Sequence, residues 1–227
     1  MGIQERRERE KLVRRDQILD AALKVFQKTG WSESTMDQVA DEAELAKGTL
    51  YLYFKDKEEI YAALGARGLL NLAERFKEIK DTITPACVAM QKIGEEYHRH
   101  FMENAVFMAS IHYSIHRLTQ CECEGENEMS NLHEAGLKCL EPVAATIKKG
   151  IDLGEFRKDI DPMQIAIIFW SFSDGIMTHQ LWDERLGHSL WKVDMHATVW
   201  AGFKLLMKSI ATDKIIHLFD ECNDEHK

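Results

Sequence analysis

Proline, paired cysteine and long apolar runs are all scarce in this chain, and each scarcity removes a class of protein. Only three prolines occur (Pro85, Pro142, Pro162), and the first 84 residues have none, so nothing there forces a break in a helix. The five cysteines (Cys87, Cys121, Cys123, Cys139, Cys222) are odd in number and irregularly spaced, which argues against a disulfide framework. No window approaches the ~18 uncharged apolar residues of a membrane span. Residues 1–15 are charged throughout and lack the apolar centre of a secretory signal, so a cytoplasmic protein with no membrane partner is expected. No nucleophile-elbow sequence, glycine-rich phosphate loop or HExxH pattern is found. An enzyme is therefore not expected, and no catalytic residue or cofactor is assigned.

What is present is an ordinary globular composition, 45% apolar and 30% charged over 227 residues, enough for one large or two small domains with a real core. The net charge of −9 is unevenly spread. Residues 1–15 hold six Lys/Arg against three Glu, a local balance of +3, whereas residues 118–137 hold five Glu and no Lys or Arg. A polyanion responds to the field within about a Debye length, ~8–10 Å, not to the sum over the chain. The acidic total weakens a nucleic-acid reading without excluding it.

Helical periodicity dominates and no segment alternates like a strand for long, which predicts an all-α fold. Leu12, Ile18, Leu19, Ala22, Val25 and Phe26 line one side of a first helix that Gly30 ends. Thr35 and Gln38 make a capping-box pattern for a short helix through Ala43. After a turn at residues 44–46, a second short helix is expected from Lys47 to about Phe54. Asp56 and Glu59 repeat the pattern and open a long helix with Ile60, Leu64, Leu72, Phe76 and Ile79 inside. Beyond a boundary at Asp81–Pro85, helices are expected at 85–102, 105–118, 129–153, 161–184 and 193–212, with Pro142 kinking or dividing the third. The polar, acidic stretch 120–128 is expected to be a disordered loop.

The two short helices have the order and spacing of a helix-turn-helix. Val39, Ala40, Ala43, Leu50 and Phe54 would pack inward, leaving Lys47, Gly48, Thr49, Tyr51 and Tyr53 outward. Gly48 lets the backbone approach DNA closely, and Thr49 suits a thymine methyl or a base edge. The tyrosine hydroxyls and the Lys47 and Lys57 ammonium groups suit phosphates, and Thr35 and Lys57 each stand at a helix N-terminus, which favours anions. Taken singly, each residue would equally suit a small helical bundle. Residues 18–64 as a whole, with the run KGTLYLYFKDKEEI, resemble the DNA-binding domain of TetR-family transcriptional regulators. Residues 149–157, followed by Asp161-Pro162, are similar to a segment common before that family's penultimate helix.

The resemblance implies a homodimer, paired through the last two helices, on a palindromic double-stranded DNA operator, probing it with Thr35, Lys47, Gly48, Thr49, Tyr51, Tyr53 and Lys57. It implies a repressor released by a small-molecule effector of unknown identity. The domains expected are a flexible charged arm at 1–11, a DNA-binding domain at 12–80 (helix-turn-helix about 35–54), and an effector-binding and dimerisation domain at 81–227. Glu44 and Ala46 depart from the Gly and Ser common in the family's turn, and Tyr53 stands where His is common. Tyr97, Phe101, Met108, Tyr113, His116, Trp170, Asp174 and Met177 mix aromatic, Met and polar groups as a small-molecule pocket does, although a core does so too. The rival reading is a metal- or redox-binding helical bundle using His112, His116, Cys121 and Cys123, since His at i and i+4 share a helix face. Cys-x-Cys is not the common knuckle spacing, and no metal site is assigned.

Overall fold

The computed structural model describes residues 2–118, 128–186 and 191–219. Within them lie nine α-helices: α1 (Ile3–Thr29), α2 (Met36–Glu42), α3 (Lys47–Leu50), α4 (Lys57–Thr82), α5 (Ala86–Glu103), α6 (Ala105–Leu118), α7 (Glu128–Asp152), α8 (Pro162–Leu186) and α9 (Met195–Ile210). Among the described residues no strand forms beyond an isolated bridge between Phe156 and Ala211, so the fold is all-α. No described helix is long and apolar enough to cross a membrane. The chain divides into two compact units, Met1–Leu69 with Asn104–Gly136, and Leu70–Glu103 with Leu137–Lys227. This division falls within α4, ahead of the expected boundary, and assigns α6 to the first unit.

The first unit closes around Ile18, Leu19, Ala22, Val25 and Phe26 of α1, Val39 and Ala40 of α2, Leu50, Phe54, and Ile60, Tyr61 and Leu64 of α4. Spacing of three and four residues sets these side chains on one stripe of each helix, which is what burial of a single face requires. Phe107 of α6 joins the cluster, and α4 presents glycine where α6 comes close. A Cβ on Gly68 would lie 3.0 Å from the Phe107 ring, and one on Gly65 2.9 Å from Ser110 Oγ. Trp31 stacks on Tyr61 at 4.1 Å, and Tyr113 of α6 completes the cluster at 5.1 Å from Trp31.

The second unit packs α8 against α9 and α5 against α8. Gly202 of α9 faces Phe172 of α8, and Gly94 of α5 faces Phe203 of α9. Glu155, buried after α7, accepts a hydrogen bond from the Cys87 backbone N–H at 2.9 Å and so neutralises an orphan donor in the first turn of α5.

One expectation fails here. Residues 3–11 form the first turns of α1, not an arm separate from it. Of the two alternatives expected at Pro142, a kink or a division, the division does not occur, since α7 runs on through it: Cys139, Val143 and Ile147 remain on one buried row, and that packing outweighs the lost backbone hydrogen bond. The loop expected at 120–128 lies, but for Glu128 in α7, outside the described residues.

Candidate nucleic-acid interface

Thr35 caps α2 as its sequence pattern requires. Its Oγ1 accepts from the Gln38 backbone N–H at 3.2 Å, and its own N–H donates to Gln38 Oε1 at 2.8 Å. Each of these bonds satisfies a donor that the first turn would otherwise orphan. The turn to α3 passes through Glu44 at φ 54°, a left-handed conformation that side chains other than Gly and Asn disfavour. Leu45 donates back to the Ala40 carbonyl at 2.9 Å, which closes the turn and fixes where α3 begins.

The regular part of α3 is one turn long, shorter than expected, and it tightens at its end. Leu52 N–H donates to Thr49 O and Tyr53 N–H to Leu50 O, before Phe54 N–H returns to Leu50 O. Leu50 and Phe54 are buried, so the element is held from beneath. Its other side is open. Gly48 is exposed and a Cβ there would meet nothing within 4 Å, Thr49 and Tyr53 are half-buried, and Tyr51 is 45% exposed. Leu52, which the sequence reading left unassigned, is 79% exposed. Two positions from both Leu50 and Phe54, it stands about 200° round the helix from each and so opposite the buried side; its apolar character, not its position, kept it out of the outward set.

Lys47 donates to Asp37 of α2 across 2.6 Å in the open, and that hydrogen bond and the carboxylate's charge raise the ammonium's pKa. Lys57 behaves otherwise. Its Nζ donates to the carbonyls of Trp31 at 2.7 Å and Ser34 at 2.9 Å, with Ser32 O at 3.4 Å, and lies 4.4 Å from the centroid of the Trp31 ring. Three donors thus face three carbonyls. The lysine holds the loop between α1 and α2, and its charge is directed into the protein.

The residues expected to line an effector pocket fall in different places. In the second unit Trp170 Nε1 donates to the Tyr97 hydroxyl at 3.1 Å, and Tyr97 donates to Asp174 Oδ1 at 3.3 Å. Phe101 packs edge-on against Tyr97 at 6.3 Å, and Met177 is buried. Burial pushes the Tyr97 phenol well above its usual pKa, and the charge of Asp174 adds to this. Met108 and Tyr113 belong to the first unit, where Tyr113 packs on Trp31 and Tyr61. Tyr113 is therefore part of that unit's aromatic core. Cys121, Cys123 and the side chains of His112 and His116 lie outside the described residues.

Residues 18–64 match the family of bacterial regulatory proteins called the tetR family. The chain is 28% identical over 177 residues to the fatty acid metabolism regulator protein of Bacillus subtilis (strain 168), covering 74% of this chain and 84% of that one. Over 71 residues it is 38% identical to the transcriptional activator FasR of Mycolicibacterium smegmatis, 31% of this chain and 32% of that one. Its fold matches that of the regulator FadR from Bacillus subtilis in complex with stearoyl-CoA, with a TM-score of 0.63 at 23% identity, over 86% of this chain and 98% of that one. None of these similarities supports the metal or redox reading.

Proposed function

Since the chain belongs to the TetR family of transcriptional regulators and binds DNA through its helix-turn-helix, we propose that it is a cytoplasmic, dimeric repressor released by a small molecule. It acts by binding and not by catalysis. The observation that carries this reading is the open face of α3, where Gly48 leaves the backbone bare while Leu50 and Phe54 anchor the element from the other side. Thr35, Lys47, Gly48, Thr49, Tyr51 and Tyr53 meet the operator, with Gly48 and Thr49 at base edges and the hydroxyls and ammonium on phosphates. Lys57 positions the α1–α2 loop instead. Operator reading belongs to the first unit, and effector binding and dimerisation to the second.

The effector contacts the Tyr97–Trp170–Asp174 chain, which supplies directional polar groups among buried aromatic and Met side chains. The relative bound to stearoyl-CoA supports an acyl-CoA as the class to try first. Coupling of ~1–3 kcal/mol between the two sites would weaken operator binding about 5–150-fold.

An operator selected from a random duplex pool tests the reading. Lys47→Ala should lower affinity for it and reduce the slope of log K against log salt by about 0.9 per protomer. An unchanged slope removes α3 from the interface. Titrating stearoyl-CoA should raise the melting temperature with concentration and release the operator; stabilisation without release would leave a binding protein that is not a switch.

A further inference from the structure

The first half of α1 has no core to serve. From Gly2 to Gln17 every described side chain except Arg15 is exposed, and burial begins at Ile18. Residues 3–16 alone make about 21 Å of helix at ~1.5 Å per residue. Along it Arg7, Lys11 and Arg14 stand at i, i+4 and i+7, one row on the helix surface. They line a groove of about 840 Å³ that Tyr53, from the end of the reading element, also lines. Of the acids on this stretch only Glu10 borders the groove, and it is paired with Arg6 at 2.8 Å. Among the described residues Arg7, Lys11 and Arg14 make no ion pair with any carboxylate.

Like charges at i and i+4 oppose helix formation, and an exposed helical stretch gains no packing in return. A row of unpaired cations becomes favourable when a polyanion neutralises it. The groove is continuous with Tyr53, and ~21 Å spans about six base pairs at 3.4 Å each. We propose that the Arg7–Lys11–Arg14 row is a second DNA-contacting element, which grips the sugar-phosphate backbone flanking the bases met by α3. This rests on the operator-binding reading above. It assigns these residues affinity and footprint length, and leaves sequence choice to α3.

Two duplexes carrying the same selected operator separate the possibilities: one ends at the base pairs read by α3, the other extends about ten base pairs further on each side. The variant R7Q/K11Q/R14Q, all at exposed positions outside the core, should match the wild type on the short duplex. On the long one it should bind at least ~10-fold more weakly, with a salt slope lower by about 2.7 per protomer, while R7K/R14K keeps the wild-type slope. An unchanged slope on the long duplex overturns the proposal, as does an equal loss on both duplexes. If anionic vesicles bind the wild type but not the triple variant and the duplexes show no difference, a lipid surface replaces DNA as the occupant. If the wild type selects no duplex at all, the regulator reading fails first and this one with it.

Discussion

Two side chains carry more than their surroundings suggest, and each makes a prediction. Lys57→Ala deletes an ammonium that faces the carbonyls of Trp31, Ser32 and Ser34 and lies over the Trp31 ring. Charged hydrogen bonds contribute ~1.5–3 kcal/mol and cation–π contacts ~0.5–1; with partial exposure, a loss of about 1–3 kcal/mol is expected in urea denaturation. Tryptophan fluorescence should change with it, while the salt slope of operator binding stays at its wild-type value. Sequence pattern alone assigned Lys57 to DNA because it opens a helix; its partners come from residues 23–26 positions earlier, a contact that only the folded chain defines. At Tyr97, burial holds the phenol neutral in the folded state. Because the folded pKa lies above the unfolded one, its contribution is complete below about pH 10 and is lost as the pH rises towards the folded value. Cys139, pushed by burial from 9.0 to about 12, adds a loss of the same sign. Denaturation midpoints should therefore fall from about pH 9 upward, where the unfolded thiol begins to titrate, and more steeply above about pH 10. Above about pH 10 they should fall less in Tyr97→Phe, which at pH 8 is itself weaker by about 1 kcal/mol for the lost hydroxyl bonds. Equal falls in the two proteins would remove Tyr97 as the source.

Helices declare themselves through their ends, which is why so much of this architecture was legible. Thr35 with Gln38 makes both bonds that its pattern implies, and Asp56 accepts from Glu59 N–H at 2.8 Å. Even here the reciprocal bond slips by one residue, Glu59 accepting from Lys55 N–H. Tertiary decisions were not legible. The unbroken α7 depends on packing on both sides of Pro142, and the shortness of α3 depends on burying both Leu50 and Phe54. The seat of α9 on α8 was hidden for a similar reason, since a glycine in an apolar run does not reveal which ring it admits. A Cβ on Gly202 would overlap the Phe172 ring. Gly202→Ala raises helix propensity by up to ~1 kcal/mol, yet forcing the ring aside costs ~1–3 kcal/mol. A net loss in thermal or urea unfolding is expected, recovered by adding Phe172→Leu; a stabilised single variant would show that α9 is not held through this contact.

For the whole molecule, an acidic chain that binds DNA works by concentrating cations where the duplex lies, and the dimer proposed above would in addition present two reading heads at once. The second requirement makes the exposed side of α8 and α9 important. Ile168, Ser171 and Gly175 fall on one face of α8, and Ala197, Ala201 and Leu205 on one face of α9, all exposed. Ile168 is 47% and Leu205 69% accessible, whereas a monomer has little reason to keep branched apolar side chains in a row with small ones. A partner chain would bury them, and the small residues would let its helices come close. Leu205→Glu introduces a charge at that seam without disturbing Met207 or Ile210, which are buried on the other side of α9. Sedimentation should then report monomers at concentrations where the wild type is dimeric. Because joining two heads raises avidity by about 10²–10⁴, operator affinity should fall by at least ~100-fold, while α-helical content is retained and binding to a single half-site is unchanged. A variant that remains dimeric would move the seam off this face, and one that becomes monomeric yet binds the full operator as tightly would show that the heads act singly.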